Sequence, residues 1–137
     1  MSSSPANAWD AVLNQIYPVT PAGTGTVAVA DVPNGDPYDI LCDIQIGENL
    51  NEHVDQFVLR ISVLNLSTGA PLSGSPVSVT RILTPTDDAN FATTERVSFP
   101  APGATVGDVL KATAAIEVTA GSNTDVSTAE SDNFVVS

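Results

Sequence analysis

Three segments of this chain carry apolar side chains at every second position and mostly polar ones between them, and this alternation constrains the fold more than any other feature. Successive side chains of a β-strand point to opposite faces, so a period of two is typical of a strand with one buried face. The apolar positions are Ile40, Cys42, Ile44 and Ile46; Phe57, Leu59, Ile61 and Val63; and Leu110, Ala112, Ala114, Ile116 and Val118. The pattern predicts three half-buried strands.

Weaker strands are predicted around residues 25–31, 76–83, 93–99 and 126–136, with turn residues between them. The chain has 137 residues, which is a one-domain length. Its Val and Thr content, with 9 Gly and 10 Pro, favours strands and turns. About seven short strands without intervening helices indicate an all-β, two-sheet antiparallel sandwich over residues 24–137.

Three stretches resemble parts of a known family. Residues 106–118 (VGDVLKATAAIEV) with 127–136 (STAESDNFVV) resemble the last two strands of bacterial and phage immunoglobulin-like (fibronectin type III-like) domains, and residues 59–74 (LRISVLNLSTGAPLSG) resemble a mid-sequence strand-and-turn segment of such domains. The resemblance implies an immunoglobulin-like sandwich and no particular activity. The inter-sheet cysteine pair of antibody domains is missing, because Cys42 is the only cysteine.

The first 23 residues show a different pattern. Apolar side chains occur at helical spacing, and Pro18 follows as a stop signal. We therefore expect a short N-terminal helix within a helical arm and linker of residues 1–23. The expected partner-binding residues are Trp9, Val12, Leu13, Ile16 and Tyr17. On a helix these five side chains would form one apolar stripe, which could pack on its own sandwich or dock on a neighbouring subunit. The large aromatic side chains of Trp9 and Tyr17 favour a role of this stripe as a contact anchor.

The charge balance excludes some partners. There are 16 acidic and 4 basic residues, for a formal net charge of -12, and the basic residues are scattered singly. Nucleic-acid binding depends on clustered basic side chains, and an anionic membrane surface would repel this chain. We expect protein subunits as partners, no nucleic acid, no membrane, and an oligomeric state.

Candidate catalytic and metal-binding residues are few. A nucleophile needs a nearby base, and His53 is the only histidine. Cys42 lies in the apolar phase of its strand, which indicates an inert core thiol. Calcium is the metal with the most candidate ligands, but their spacing matches no calcium loop. They are Asp31, Asp36 and Asp39, then Asp87 and Asp88 before Asn90, and then Asp125, Glu130 and Asp132. We expect no enzyme, no cofactor and no metal, with solvated loop carboxylates in place of a calcium site.

The sequence favours a structural or interaction module of a larger assembly, such as a capsid decoration or a tail-associated component of a phage or virus-like particle. The alternative is a bacterial surface or secreted adhesin-type domain that binds carbohydrate or protein through its loops, with Ca²⁺ dependence left open. Residues 1–8 lack the pattern of a secretory signal, which favours the virion or the cytoplasm over the cell surface.

Overall fold

A computed structural model describes residues 11–72, 74–86 and 91–137, which form two β-sheets and one short helix. In chain order the elements are β1 (Ala11–Val19), β2 (Asp31–Val32), β3 (Tyr38–Ile46), α1 (Glu48–Asn51), β4 (Gln56–Asn65), β5 (Ala70–Pro71), β6 (Val77–Ile82), β7 (Phe91–Phe99), β8 (Val109–Ala120), β9 (Asn123–Glu130) and β10 (Phe134–Val136). No helix among these residues is long and apolar enough to cross a membrane.

The smaller sheet has three antiparallel strands in the order β1-β3-β7. Its central strand β3 pairs along its whole length with β7 and from Asp39 to Ile46 with β1. The register places Ile40 opposite Pro18 and Val97, and Ile44 opposite Leu13 and Thr93. The alternating residues of β3 therefore direct one apolar face towards the second sheet, as the sequence predicts.

The larger sheet is built on the long antiparallel pair β4 and β8, which are in register from Gln56↔Thr119 to Asn65↔Leu110. On the outer side of β4 lie β6 and the short β5, and on the outer side of β8 lie β9 and β10. Strand β2 completes the edge by pairing parallel to β10. The sheet thus holds both of the other strongly alternating segments of the sequence at its centre.

The two sheets bury a core of aliphatic side chains with a small aromatic group at one end. The Tyr38 ring stacks on Phe99 with 5.6 Å between centroids, and it meets Phe134 edge-on at 6.2 Å. These residues come from β3, β7 and β10, so the contact joins both sheets. Burial of these rings stabilises the sandwich by the hydrophobic effect and by favourable ring geometry.

The N-terminal helix is a wrong prediction for residues 11–17, because they form strand β1. A β-bulge explains the misleading pattern. Leu13 pairs with Ile44 and Gln15 pairs with Asp43, so Asn14 is an extra residue in the ladder. The inward phase therefore passes from Leu13 to Ile16, and this interruption of a period of two imitates helical spacing.

The weaker strand predictions have mixed outcomes. The predictions at 76–83 and 93–99 correspond to β6 and β7. The prediction at 25–31 is wrong over most of its length, because only Asp31 of that segment lies in a strand, β2, and Ala28 forms an isolated bridge to Val19. The segment 126–136 contains two strands, β9 and β10, which both pair with β8.

Candidate interaction surface

The structure separates the residues predicted to form one apolar stripe. Leu13 and Ile16 are 2% and 4% exposed and belong to the protein's own core. Val12 and Tyr17 are half-buried and lie in the opposite phase of β1. Trp9 lies outside the described residues. The four described residues therefore do not form a single exposed stripe, and any contact by β1 uses its edge or its outer face.

A groove with a volume of about 750 Å³ runs beside the open edge of β1. One wall is the second half of β1, the opposite wall is the segment 26–30, and the connection between β9 and β10 closes the base. The lining residues are Gln15, Ile16, Tyr17, Pro18, Thr26, Val27, Ala28, Val29, Ala30, Glu130, Asp132 and Asn133. The size is within the range of sites that hold small molecules or short peptide segments.

The edge of β1 is covered on both sides of this groove. The Ala11 N–H donates to Asp125 Oδ2 at 2.6 Å, and the Leu13 N–H donates to Ser127 Oγ at 3.1 Å, so side chains of β9 cover its first half. At the other end the Val29 N–H donates to the Pro18 carbonyl at 3.0 Å. Between these contacts the edge faces the groove at Ile16.

The alternation of the antiparallel ladder determines what Ile16 presents there. Ile16 lies opposite Cys42 and Pro18 lies opposite Ile40 in the register of β1 and β3, and the Pro18 carbonyl points away from β3 because it accepts the Val29 N–H. The same alternation directs the backbone N–H and C=O of Ile16 away from β3 as well. Since the Ile16 side chain is in the core, the part of Ile16 that lines the groove is main chain.

The opposite wall of the groove is held by a loop that is fixed to the smaller sheet. Asp39 Oδ2 accepts hydrogen bonds from the Gly23 N–H and from Arg96 Nη1, both at 2.6 Å, and Arg96 Nη2 donates to the Gly25 carbonyl at 2.6 Å. A side chain at Gly25 would collide with the backbone, because its Cβ would lie 2.6 Å from the Thr20 carbonyl oxygen. The loop therefore fixes where the segment 26–30 begins.

The charge state of Asp39 follows from these contacts. Burial alone raises the pKa of this carboxyl, but the Gly23 N–H, the Arg96 guanidinium and the Ser98 hydroxyl together bring its pKa below the ordinary value. Its side chain is fully buried, whereas that of Arg96 is 29% exposed. Asp39 is therefore ionised at neutral pH and acts as a structural anchor for the loop.

The charged side chains at the base of the groove are acidic. Asp132 is exposed, and Glu130 forms an ion pair with Lys111 at 2.8 Å. The opposite wall is mainly apolar, and Val27 is 76% exposed. The groove thus combines an apolar wall, a main-chain edge and negative charge, which suits an extended chain with a basic side chain better than an anion.

The thiol of Cys42 has an environment that disfavours nucleophilic chemistry. It is buried in the core, and burial raises its pKa to about 12, with Asp43 and Glu95 adding to the rise. The thiolate is the reactive form, so this thiol is a poor nucleophile at neutral pH. His53 is exposed on the turn that follows α1.

The acidic residues considered for calcium are dispersed. No group of three or more His, Cys, Asp or Glu side chains suited to a metal ion occurs within residues 11–72, 74–86 and 91–137. Asp39 contacts Arg96, and Asp125 accepts the Ala11 N–H. Asp87 and Asp88 lie outside the described residues.

Sequence reasoning missed the groove because its walls are not adjacent in the chain. The sequence pattern predicts strands at 25–31 and 126–136, although residues 26–30 and 130–133 line the groove. The sequence signal at this wall of the groove is the run TVAVA at residues 26–30, whose pattern resembles a strand. In the structure this run leaves Val27 exposed.

Comparison of the chain with protein-family models, with curated proteins and with solved structures gives no match.

Proposed function

We propose that this chain is a non-enzymatic interaction module of a larger assembly, and that it binds its partner at the groove beside β1. The observation that carries the proposal is the edge of β1 at Ile16, which no hydrogen bond among the described residues covers between the contacts at Leu13 and Pro18. An uncovered strand edge next to exposed apolar side chains favours protein–protein contact.

The strand order supports an immunoglobulin-like architecture for this module. Of the seven main strands, the first, second and fifth form one sheet as β1-β3-β7, and the others form β6-β4-β8-β9 within the second sheet. Immunoglobulin-like and fibronectin type III-like domains distribute strands A, B and E, and C′, C, F and G, in this way. Such domains serve mainly as binding and structural modules, and capsid decorations or tail-associated parts of phage-like particles are the assemblies we favour.

The proposal is tested by co-expression with the products of the neighbouring genes, followed by light scattering on the purified material. We expect the chain to elute in a complex larger than a monomer. Val27→Asp should remove it from the complex, because the new carboxylate lies on the apolar wall of the groove. Val106→Asp is the matched control, since Val106 is 67% exposed and lies outside the groove.

Two results would contradict the proposal. One is a chain that remains a monomer with every neighbouring gene product. The other is a complex from which Val27→Asp and Val106→Asp are lost to the same extent, because the groove would then have no special part in the contact.

A further inference from the structure

The length of open edge in the groove sets the size of what can occupy it. The covered positions nearest to the gap are Leu13, bonded to Ser127, and Pro18, bonded to Val29. Five residue steps separate them, which is roughly 17 Å of strand at about 3.3 Å per residue. An extended segment of about five residues therefore fits along the gap.

The main-chain groups in the groove favour an extended peptide over other ligands. Ile16 directs both its N–H and its C=O at the groove, and a strand residue opposite it can satisfy both. The segment 26–30 leaves β1 after the contact at Pro18 and continues towards β10, where the Ala30 carbonyl accepts the Val135 N–H at 3.0 Å. This divergence keeps the segment from covering Ile16 itself.

The charges favour a different polypeptide over a second copy of this chain. The net charge of -12 makes two copies repel each other. Within the part of the chain that the structure describes, three basic residues are in ion pairs, Arg81 with Glu95, Arg96 with Asp39, and Lys111 with Glu130. A second copy thus has little positive charge to place beside Asp132. The acidic base of the groove attracts a partner segment with a basic side chain, whereas it repels a second copy of this acidic chain.

We infer that the groove binds an extended segment of a different polypeptide, which adds to the edge of β1 at Ile16 and places a basic side chain beside Asp132 and Glu130. This inference rests on the proposed function and names the chemical class of the partner. Main-chain hydrogen bonds to Ile16 position the partner segment along β1. Val27 and the neighbouring alanines contact the apolar side chains of that segment, and Asp132 favours a basic side chain over an acidic one.

The probe is a blocked pentapeptide of alternating Val and polar residues with one Lys, titrated into the ¹⁵N-labelled protein. We expect saturable shifts of the amide signals of Ile16, Val27 and Asp132. The same peptide with Glu in place of Lys should bind about tenfold more weakly, because it meets the acidic base of the groove. A peptide N-methylated at its central residue should also lose binding, because it cannot complete the main-chain pair.

Matched charge reversals locate the basic side chain. Asp132→Lys should lower the affinity for the Lys peptide about tenfold. Glu117→Lys changes the net charge by the same amount as Asp132→Lys, but on the exposed outer face of β8. It should leave the affinity for the Lys peptide within about twofold of the wild-type value. Both sites are exposed, so each variant is expected to fold, and the dispersion of its amide spectrum verifies this.

Several outcomes overturn the inference. They are equal binding of the Lys and Glu peptides, unchanged binding of the N-methylated peptide, shifts confined to residues outside the groove, and self-association of the free chain that Asp132→Lys strengthens. If the peptides fail while the co-expressed complex forms and depends on Val27, the partner class is wrong and the proposed function stands. If that complex also fails to form, the proposed function itself is wrong.

Discussion

Asp39 shows how a single residue determines the geometry of the proposed surface. It lies in the outward phase of β3, yet its side chain is fully buried, because the loop of residues 20–25 packs over it and contributes the Gly23 N–H. Replacement by Asn removes the charge that Arg96 faces. Breaking a buried ion pair costs about 3–5 kcal/mol, and because Arg96 is 29% exposed we expect a loss of about 2–3 kcal/mol for Asp39→Asn.

The effect of Asp39 should depend on pH. Its pKa is below the ordinary value in the folded protein, so the unfolded chain takes up the proton first as the pH falls. The stability that the ionised group contributes is therefore complete above a pH of about 4 and is lost as the pH falls through the lower pKa of the folded state. Urea unfolding should show a difference between wild type and Asp39→Asn that is large at neutral pH and shrinks below this value.

The exposed Asp36 provides the control for this prediction. Asp36→Asn should change the free energy of unfolding by less than about 0.5 kcal/mol. A difference between wild type and Asp39→Asn that stays constant down to strongly acidic pH would show that the charge of Asp39 does not stabilise the fold.

At the scale of elements, β1 is governed by its bulge. Asn14 has no partner on β3, and its buried Oδ1 lacks a hydrogen-bond partner. Deletion of Asn14 would place Leu13 and Gln15 in direct succession opposite Ile44 and Asp43, so the ladder becomes regular without any other change of register. We expect this variant to retain the stability of the wild type within about 1 kcal/mol, measured by urea unfolding.

Deletion of Tyr17 is the contrasting variant. It moves Pro18 and Val19 to the opposite face and breaks the contact between Pro18 and Val29. A one-residue slip that moves these two buried side chains to the other face of the sheet should cost more than about 3 kcal/mol. If both deletions cost the same, Asn14 is not the extra residue of a bulge.

The elements also show how far the sequence could predict this structure. β3, β4 and β8 are predictable because an uninterrupted period of two identifies a strand. β1 is not, because a bulge breaks that period and the alternation of Leu13 and Ile16 then matches a helix. The burial of Asp39 and the groove were out of reach, since both depend on segments brought together by the tertiary fold.

At the scale of the whole molecule, the contacts between the edges of the two sheets differ on the two sides of the sandwich. Between the outer strands β6 and β7, Arg81 and Glu95 form a bidentate ion pair with donor–acceptor distances of 3.0–3.2 Å. On the other side the edge of β1 is bonded to Asp125 and Ser127 of β9, and the groove lies between the second half of β1 and the connection from β9 to β10. The open part of the molecule is therefore the side on which Ile16 lies.

Amide hydrogen exchange of residues 15–17, followed by NMR in the free protein, tests this account most directly. Gln15 and Tyr17 occupy hydrogen-bonded positions of the β1–β3 ladder, so their amides should be protected, whereas the Ile16 amide faces the groove and should exchange at least about tenfold faster. Equal protection of the three amides, as a helix or a covered edge would give, would contradict the open edge and with it the proposed binding surface.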